Sequence, residues 1–177
     1  MNMCAYKSCP MFSAPCLFSD KDINESLFKT TICPIGEDEY IRELDPENTF
    51  FCLVVGSRSF SDYSLFSEKL RKMLEKYRHE PWEIIIISGG ADGADSLAEK
   101  FAEEHKYHMV VIKADWDMNG KRAGYIRNEE MHRFISEFPH RGVMAFWDGK
   151  SRGTQHSFEL AKKYHNQIRI CRVSGDG

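Results

Sequence analysis

"EIIIISGGADGADSLAEKFAEEH", Glu83 to His105, contains a whole strand–turn–helix unit. Its four consecutive isoleucines are a β-branched run that suits a strand buried on both faces. Further on, Ala94, Leu97, Ala98, Phe101, Ala102 and His105 fall at i, i+3, i+4, i+7, i+8 and i+11, one apolar stripe along a helix. Between strand and helix lies "SGGADGAD", Ser88 to Asp95, with three glycines and two aspartates. Glycine admits positive φ and leaves no Cβ between backbone and ligand. The free N–H groups and positive dipole end of the helix favour an anion such as phosphate. Asp92 or Asp95 can instead cap the helix, or meet ribose hydroxyls, since both would repel phosphate. A turn that takes a ligand against Ser88, Gly89 and Gly90 is the favoured reading; a capped tight turn is the other.

The same unit recurs along the chain. "FFCLVVG" (50–56), "HMVVIKA" (108–114), "GVMAFW" (142–147) and "QIRICRV" (167–173) are further apolar runs. Helical patterns fill the gaps, from Asp62 to about His79, from about Lys121 to Glu137 and from about Thr154 to His165. Alternating strand and helix predict an α/β protein, three-layer and Rossmann-like, with a mainly parallel sheet flanked by helices. This domain is expected over 49–177. Residues 1–48 read as an N-terminal extension of unknown role, with "ESLFKTTICPIGEDEYIREL" (25–44) able to form a strand and a short helix.

Bulk composition narrows the function classes. With 177 residues, 42% hydrophobic and 29% charged, the chain has room for one domain with a proper core. Net charge is −3, so no overall basic field draws it to nucleic acid or acidic lipid. No apolar stretch reaches the ~20 residues that span a bilayer, and the N-terminus does not read as a signal peptide. Cys4, Cys9, Cys16 and Cys33 form no C-x-x-C pair, while Cys52 and Cys171 fall in core strands. Free thiols, no metal and a cytoplasmic location are expected.

In an open parallel sheet, ligands bind beyond the carboxyl ends of the strands. The unusual residues of this chain collect at those ends. "GSRSFSDY" (56–63) offers Gly56, Ser57 and Arg58, whose guanidinium can grip phosphate bidentately or make a surface salt bridge. "ADWDMNGKRAGYIRN" (114–128) brings Lys121, Arg127 and Asn128. Lys121 and Arg122 oppose the dipole of the helix that follows, and a bound anion would offset them. "WDGKSRGT" (147–154) supplies Gly149, Ser151, Gly153 and Thr154 at a second phosphate-suited turn, with Trp147 able to stack a base or to pack in the core. Its spacing does not match the Walker pattern. His156 reads as a solvated helix position or as a residue reaching the site.

Taken together, "GSRSF-DY", "SGGADGAD-LAE-FA", "ADW---GKRAGYIRN--M" and "AFWDGKSRGT" resemble the SLOG superfamily, in particular its small phage and bacterial branch related to YpsA. More distant relatives are the Lonely-Guy phosphoribohydrolases and the DNA-processing protein A family. The resemblance spans about 50–173 and implies a Rossmann-like fold with a pocket for nucleotides or nucleotide-derived ligands such as ADP-ribose derivatives. It implies Gly56, Ser57, Arg58, Ser88, Gly89, Gly90, Asp92, Asp95, Arg127, Asn128, Gly149, Gly153 and Thr154 as pocket residues and, more weakly, a homodimer. One departure concerns catalysis. Lonely-Guy enzymes carry P-G-G-x-G-T-x-x-E, whereas here Ser157 stands three residues after Thr154 and Glu159 two further on, roughly 200° round the helix. Asp92, Asp95 or Asp148 would have to substitute. The leading expectation is a small-molecule, nucleotide-derived ligand bound by a sensor or sequestering module. An N-glycosidase or phosphoribohydrolase-like hydrolase, with Asp92 and Asp95 as catalytic candidates, is the alternative. Single-stranded DNA binding is a third, against which the acidic net charge speaks.

Overall fold

The computed structural model describes residues 31–32 and 45–174. Its strands are β1 (Thr31–Ile32), β2 (Thr49–Gly56), β3 (Glu83–Ser88), β4 (His108–Ile112), β5 (Arg141–Trp147) and β6 (Ile168–Arg172). Its α-helices are α1 (Tyr63–Leu74), α2 (Ala94–His105), α3 (Trp116–Asn119), α4 (Ala123–Ser136) and α5 (Arg152–Lys163). The sheet runs β1-β4-β3-β2-β5-β6, with β2 to β6 parallel and β1 antiparallel on β4. The strand expected within 25–44 is thus β1, two residues long. The short helix expected there, and Cys4, Cys9, Cys16 and Cys33, lie outside the described residues.

Alternation along β2 builds the three layers. Phe50, Cys52 and Val54 pack with Phe66, Leu70, Ala98 and Phe101 of α1 and α2 on one face. Phe51, Leu53 and Val55 pack with Met131 and Ile135 of α4, and with Phe158 of α5, on the other. A strand sandwiched this way has no polar face, which is why its sequence is a continuous apolar run. β6 differs from that pattern: it is the sheet edge, and Ile170 is 50% exposed.

Caps set the helix boundaries. Asp62 accepts from the Leu65 amide at 2.9 Å and opens α1; Asp115 accepts from the Met118 amide at 2.9 Å and opens α3. Lys121 and Arg122 do not begin the long helix. They lie in a 3₁₀ turn, Gly120–Arg122, that links α3 to α4. Cys52 is buried and its thiol is pushed up to about 12 by burial, as expected for an inert core cysteine.

His132 is fully buried in the α4 layer, and burial pushes its pKa from 6.5 down to about 4, with the charge of His156 adding to the fall. Between those values the unfolded chain binds a proton that the folded one refuses. Stability therefore falls as pH drops from about 6.5 to about 4, by up to roughly 3 kcal/mol for this group. Urea unfolding at pH 7 and pH 4.5 is expected to show a smaller acid loss in His132→Leu than in the wild type. Equal losses would place the acid sensitivity elsewhere.

Candidate functional site

From β2 the chain winds outward through β3 to β4, then crosses back to place β5 on the other side of β2. At that reversal the connections leave in opposite directions, and a crevice opens above the carboxyl ends of β2 and β5. Gly56 ends β2 and pairs in register with Phe146 of β5. A cleft of about 460 Å3 occupies this place, within the range of small-ligand sites. All four of the loops singled out in the sequence contribute: Gly56 and Arg58; Asp95; Trp116, Lys121, Arg127 and Asn128; then Asp148, Ser151, Gly153 and Thr154.

Two glycines let the loops meet. A Cβ on Gly56 would lie 2.5 Å from Ala94 Cβ and 2.7 Å from the Phe146 carbonyl oxygen, so its absence lets α2 start hard against the sheet. Gly93 has φ +77° and ψ −125°, and a Cβ there would strike the Ser57 carbonyl oxygen and the Arg58 backbone. The second loop thus rests directly on the first.

The glycine-rich turn closes on itself. The amides of Gly89 and Ala91 donate to Asp95 Oδ2 at 3.1 and 3.2 Å, and the Gly90 amide to Ser88 Oγ at 3.3 Å. A Cβ at Gly89 would fall on Nη1 of Arg127. So Gly89 is bare on account of a protein guanidinium, and Ser88, Gly89 and Gly90 lie outside the cleft lining. Asp92 is exposed and also outside it. Helix α2 is capped by neither aspartate: its N-cap is Gly93, with no side-chain hydrogen bond.

Arg127 is the most informative side chain of the cleft. It is 8% exposed, contacts Asp95 Oδ2 at 3.5 Å through Nη1, and its Nε is buried with no hydrogen-bond partner. Burial acts against both charges. It raises the Asp95 carboxyl, opposed by Arg127 and the amides of Ala91 and Gly89, and it lowers the guanidinium, opposed by Asp95 and reinforced by the charge of Arg58. Arginine keeps its proton regardless. A second guanidinium, Arg58, is exposed 5.9 Å from the centroid of the Trp116 ring and has no acidic partner among the described residues. Lys121 adds a third cation to the lining.

The β5–α5 turn divides its donors. The Asp148 carboxylate accepts the amides of Lys150 and Ser151 at 2.8 Å each, and the Ser151 and Lys150 amides hold its pKa down. Ser151 caps α5, accepting from the Thr154 amide at 3.4 Å. The first helical amides, of Arg152 and Gly153, have no acceptor within the helix. A Cβ on Gly153 would meet nothing within 4 Å, so here the bare backbone does face open space.

Three other residues expected at the site are absent from the lining. Ser57 is buried, its Oγ accepting from the Asp148 amide at 3.1 Å. Trp147 donates from Nε1 to the Ser151 carbonyl at 3.2 Å, stands edge-on to Phe158 and carries the Arg172 guanidinium 4.9 Å from its centroid. Gly149 sits at φ +83° beside that same guanidinium. The aromatic surfaces of the cleft are instead Trp116, 51% exposed, and Tyr125, 44% exposed. Sequence reading missed both. Their signal was polar flanks and no place in an apolar stripe. Glu159 is exposed and outside the cleft, while Ser157 lines it.

Residues 52–118 match the model of the YspA, cpYpsA-related SLOG family. The chain is similar to the Gene 61 protein of Mycobacterium phage D29, 33% identical over 116 residues that cover 63% of this chain and 87% of that relative. Among solved structures it is similar to one described as a predicted subunit of tRNA methyltransferase from Methanocaldococcus jannaschii. That likeness has 18% identity and a TM-score of 0.34, covering 72% of this chain and 70% of that one. Among the described residues no helix is long and apolar enough to cross a membrane.

Proposed function

The chain belongs to the YspA, cpYpsA-related SLOG family, and on that premise we propose that it binds a nucleoside phosphate or an ADP-ribose-like ligand in the cleft over β2 and β5, as a sensor or sequestering module. The family supports a nucleotide-related role; the cleft supplies the chemistry. The observation that carries the reading is the unpartnered Nε of Arg127, a cationic donor buried at the wall of an open cleft. A buried donor without an acceptor costs about 1–3 kcal/mol, more when charged, and an anionic oxygen removes that cost. Arg58, Lys121 and the amides at the start of α5 provide further contacts to phosphate, and Trp116 and Tyr125 provide faces for a base.

Hydrolysis of an N-glycosidic bond has less support. Both carboxylates in the lining are already engaged, Asp95 by Arg127 and two amides, Asp148 by two amides. Incubation with a nucleotide panel is expected to give binding without release of base.

Calorimetry with AMP and ADP-ribose, and mass spectrometry of small molecules freed on denaturation, test the reading directly. Arg58→Ala is expected to weaken binding at least tenfold, the cost of one charge-assisted bond. Gly153→Ala is a sharper probe. Its methyl enters open space, so stability is expected to hold or rise slightly, while a ligand phosphate on that backbone would be displaced and affinity would fall roughly tenfold. Unchanged affinity for both probes in Gly153→Ala would take the start of α5 out of the site.

A further inference from the structure

Behind the cleft, α4 and α5 pack face to face, and three polar side-chain atoms are buried there without a partner: His132 Nε2, His156 Nδ1 and Ser157 Oγ. Native proteins leave few such atoms unsatisfied, and each marks a place where a partner belongs. Ser157 is the member that reaches the cleft, being fully buried by the protein and part of the lining.

Its hydroxyl is unpartnered for a local reason. A helical serine usually bonds back to the carbonyl four residues earlier, here Gly153. That oxygen already takes the helix's own bond and accepts from Asn128 Nδ2 at 3.2 Å. Thr154 offers no substitute, since its Oγ1 donates to Ser151 Oγ at 3.0 Å. The Ser157 O–H is left to point elsewhere.

Of the two histidines, His132 has a fixed tautomer. Asn166 Nδ2 donates to the His132 carbonyl at 2.9 Å and lies 3.3 Å from His132 Nδ1, so that nitrogen accepts and the ring proton sits on Nε2. His132 is therefore a neutral donor at Nε2 and is not a base that could activate Ser157. His156 is half-buried, its ring edge-on to Tyr125 at 5.0 Å. The sequence allows either a solvated helix position or a residue reaching the site; His156 does not line the cleft. The three unpartnered atoms are thus one hydroxyl oxygen and two imidazole nitrogens.

We propose that Ser157 is the contact point of a polar subsite which takes the hydroxyl-bearing sugar of the ligand. A sugar hydroxyl both donates and accepts, so it can satisfy the serine hydroxyl in either sense. The inference rests on the anion-binding reading of the same cleft: phosphate at the arginines, sugar at Ser157.

The test is a cycle on the full chain, AMP against 2′,3′-dideoxy-AMP, wild type against Ser157→Ala. Wild type is expected to prefer AMP by about tenfold, one hydrogen bond's worth, and Ser157→Ala to bind both probes alike. Removing an unpartnered buried hydroxyl is also expected to leave the melting temperature unchanged or raised. A preference that survives in Ser157→Ala, no preference in wild type, or a melting temperature lowered by several degrees overturns the subsite while AMP binding stands. Failure of wild type to bind either probe overturns the anion reading and the subsite with it.

Discussion

Asp95→Asn is expected to destabilise the fold by about 3–5 kcal/mol, although it changes one atom of a side chain that is 8% exposed. Asparagine keeps an oxygen that can accept the Gly89 and Ala91 amides, so the turn is not what fails. What is lost is the counter-charge to Arg127, whose guanidinium is held where Gly89 has no side chain. A buried ion pair adds little net stability, yet removing one partner strands the other. The double variant Asp95→Asn/Arg127→Met is then expected to recover most of the loss, since no buried charge remains, but not the affinity for AMP or ADP-ribose. Urea unfolding and calorimetry on the three variants separate the two roles. If Asp95→Asn stays within 1 kcal/mol of wild type, the guanidinium reaches solvent through the cleft and is not a trapped charge.

That pair shows where sequence reasoning stops. The α/β architecture was legible because β2, β3 and β5 are covered by helices on both faces, and two-sided burial forces unbroken apolar runs. Family membership was legible because four weak motifs occur in one order. At residue level the reading was coarser, and glycines show why. A glycine reports that a Cβ has no room or no suitable φ, not what occupies the space. At Gly89 the occupant is Arg127, at Gly56 it is α2, at Gly153 it is nothing. Those three cases look alike in sequence, since the occupant of Gly89 comes from 38 positions away. Trp147 and Trp116 were exchanged for a similar reason. One ends a strand and the other follows one, and only packing decides that Phe158 and Arg172 cover the first while the second stands at the cleft. The orphaned atoms of His132 and His156 had no sequence signal at all, because an unpartnered atom is defined by its surroundings.

Gly93→Ala is expected to cost about 3–5 kcal/mol and to abolish ligand binding at concentrations that saturate the wild type. Two terms add. At φ +77° and ψ −125° an L-residue is held in a region open to glycine almost alone, worth about 1–3 kcal/mol. The new methyl would also collide with the Ser57 carbonyl oxygen and sit 2.6 Å from the Arg58 carbonyl carbon and oxygen, an overpacking against backbone worth a further ~1–3 kcal/mol. Backbone cannot swing aside as the end of a side chain can, so the loops must part. Parting them moves Arg58 away from Arg127 and breaks the support under the start of α2, which is where the cleft begins. Gly120→Ala is the matched control: its φ is also positive, at +48°, but a Cβ there meets nothing within 4 Å. With ψ at −134°, only the dihedral cost of about 1–3 kcal/mol is expected there, with ligand binding retained. Equal losses in the two variants would mean that the dihedral alone sets the cost, and that the first two loops are not held together at Gly93.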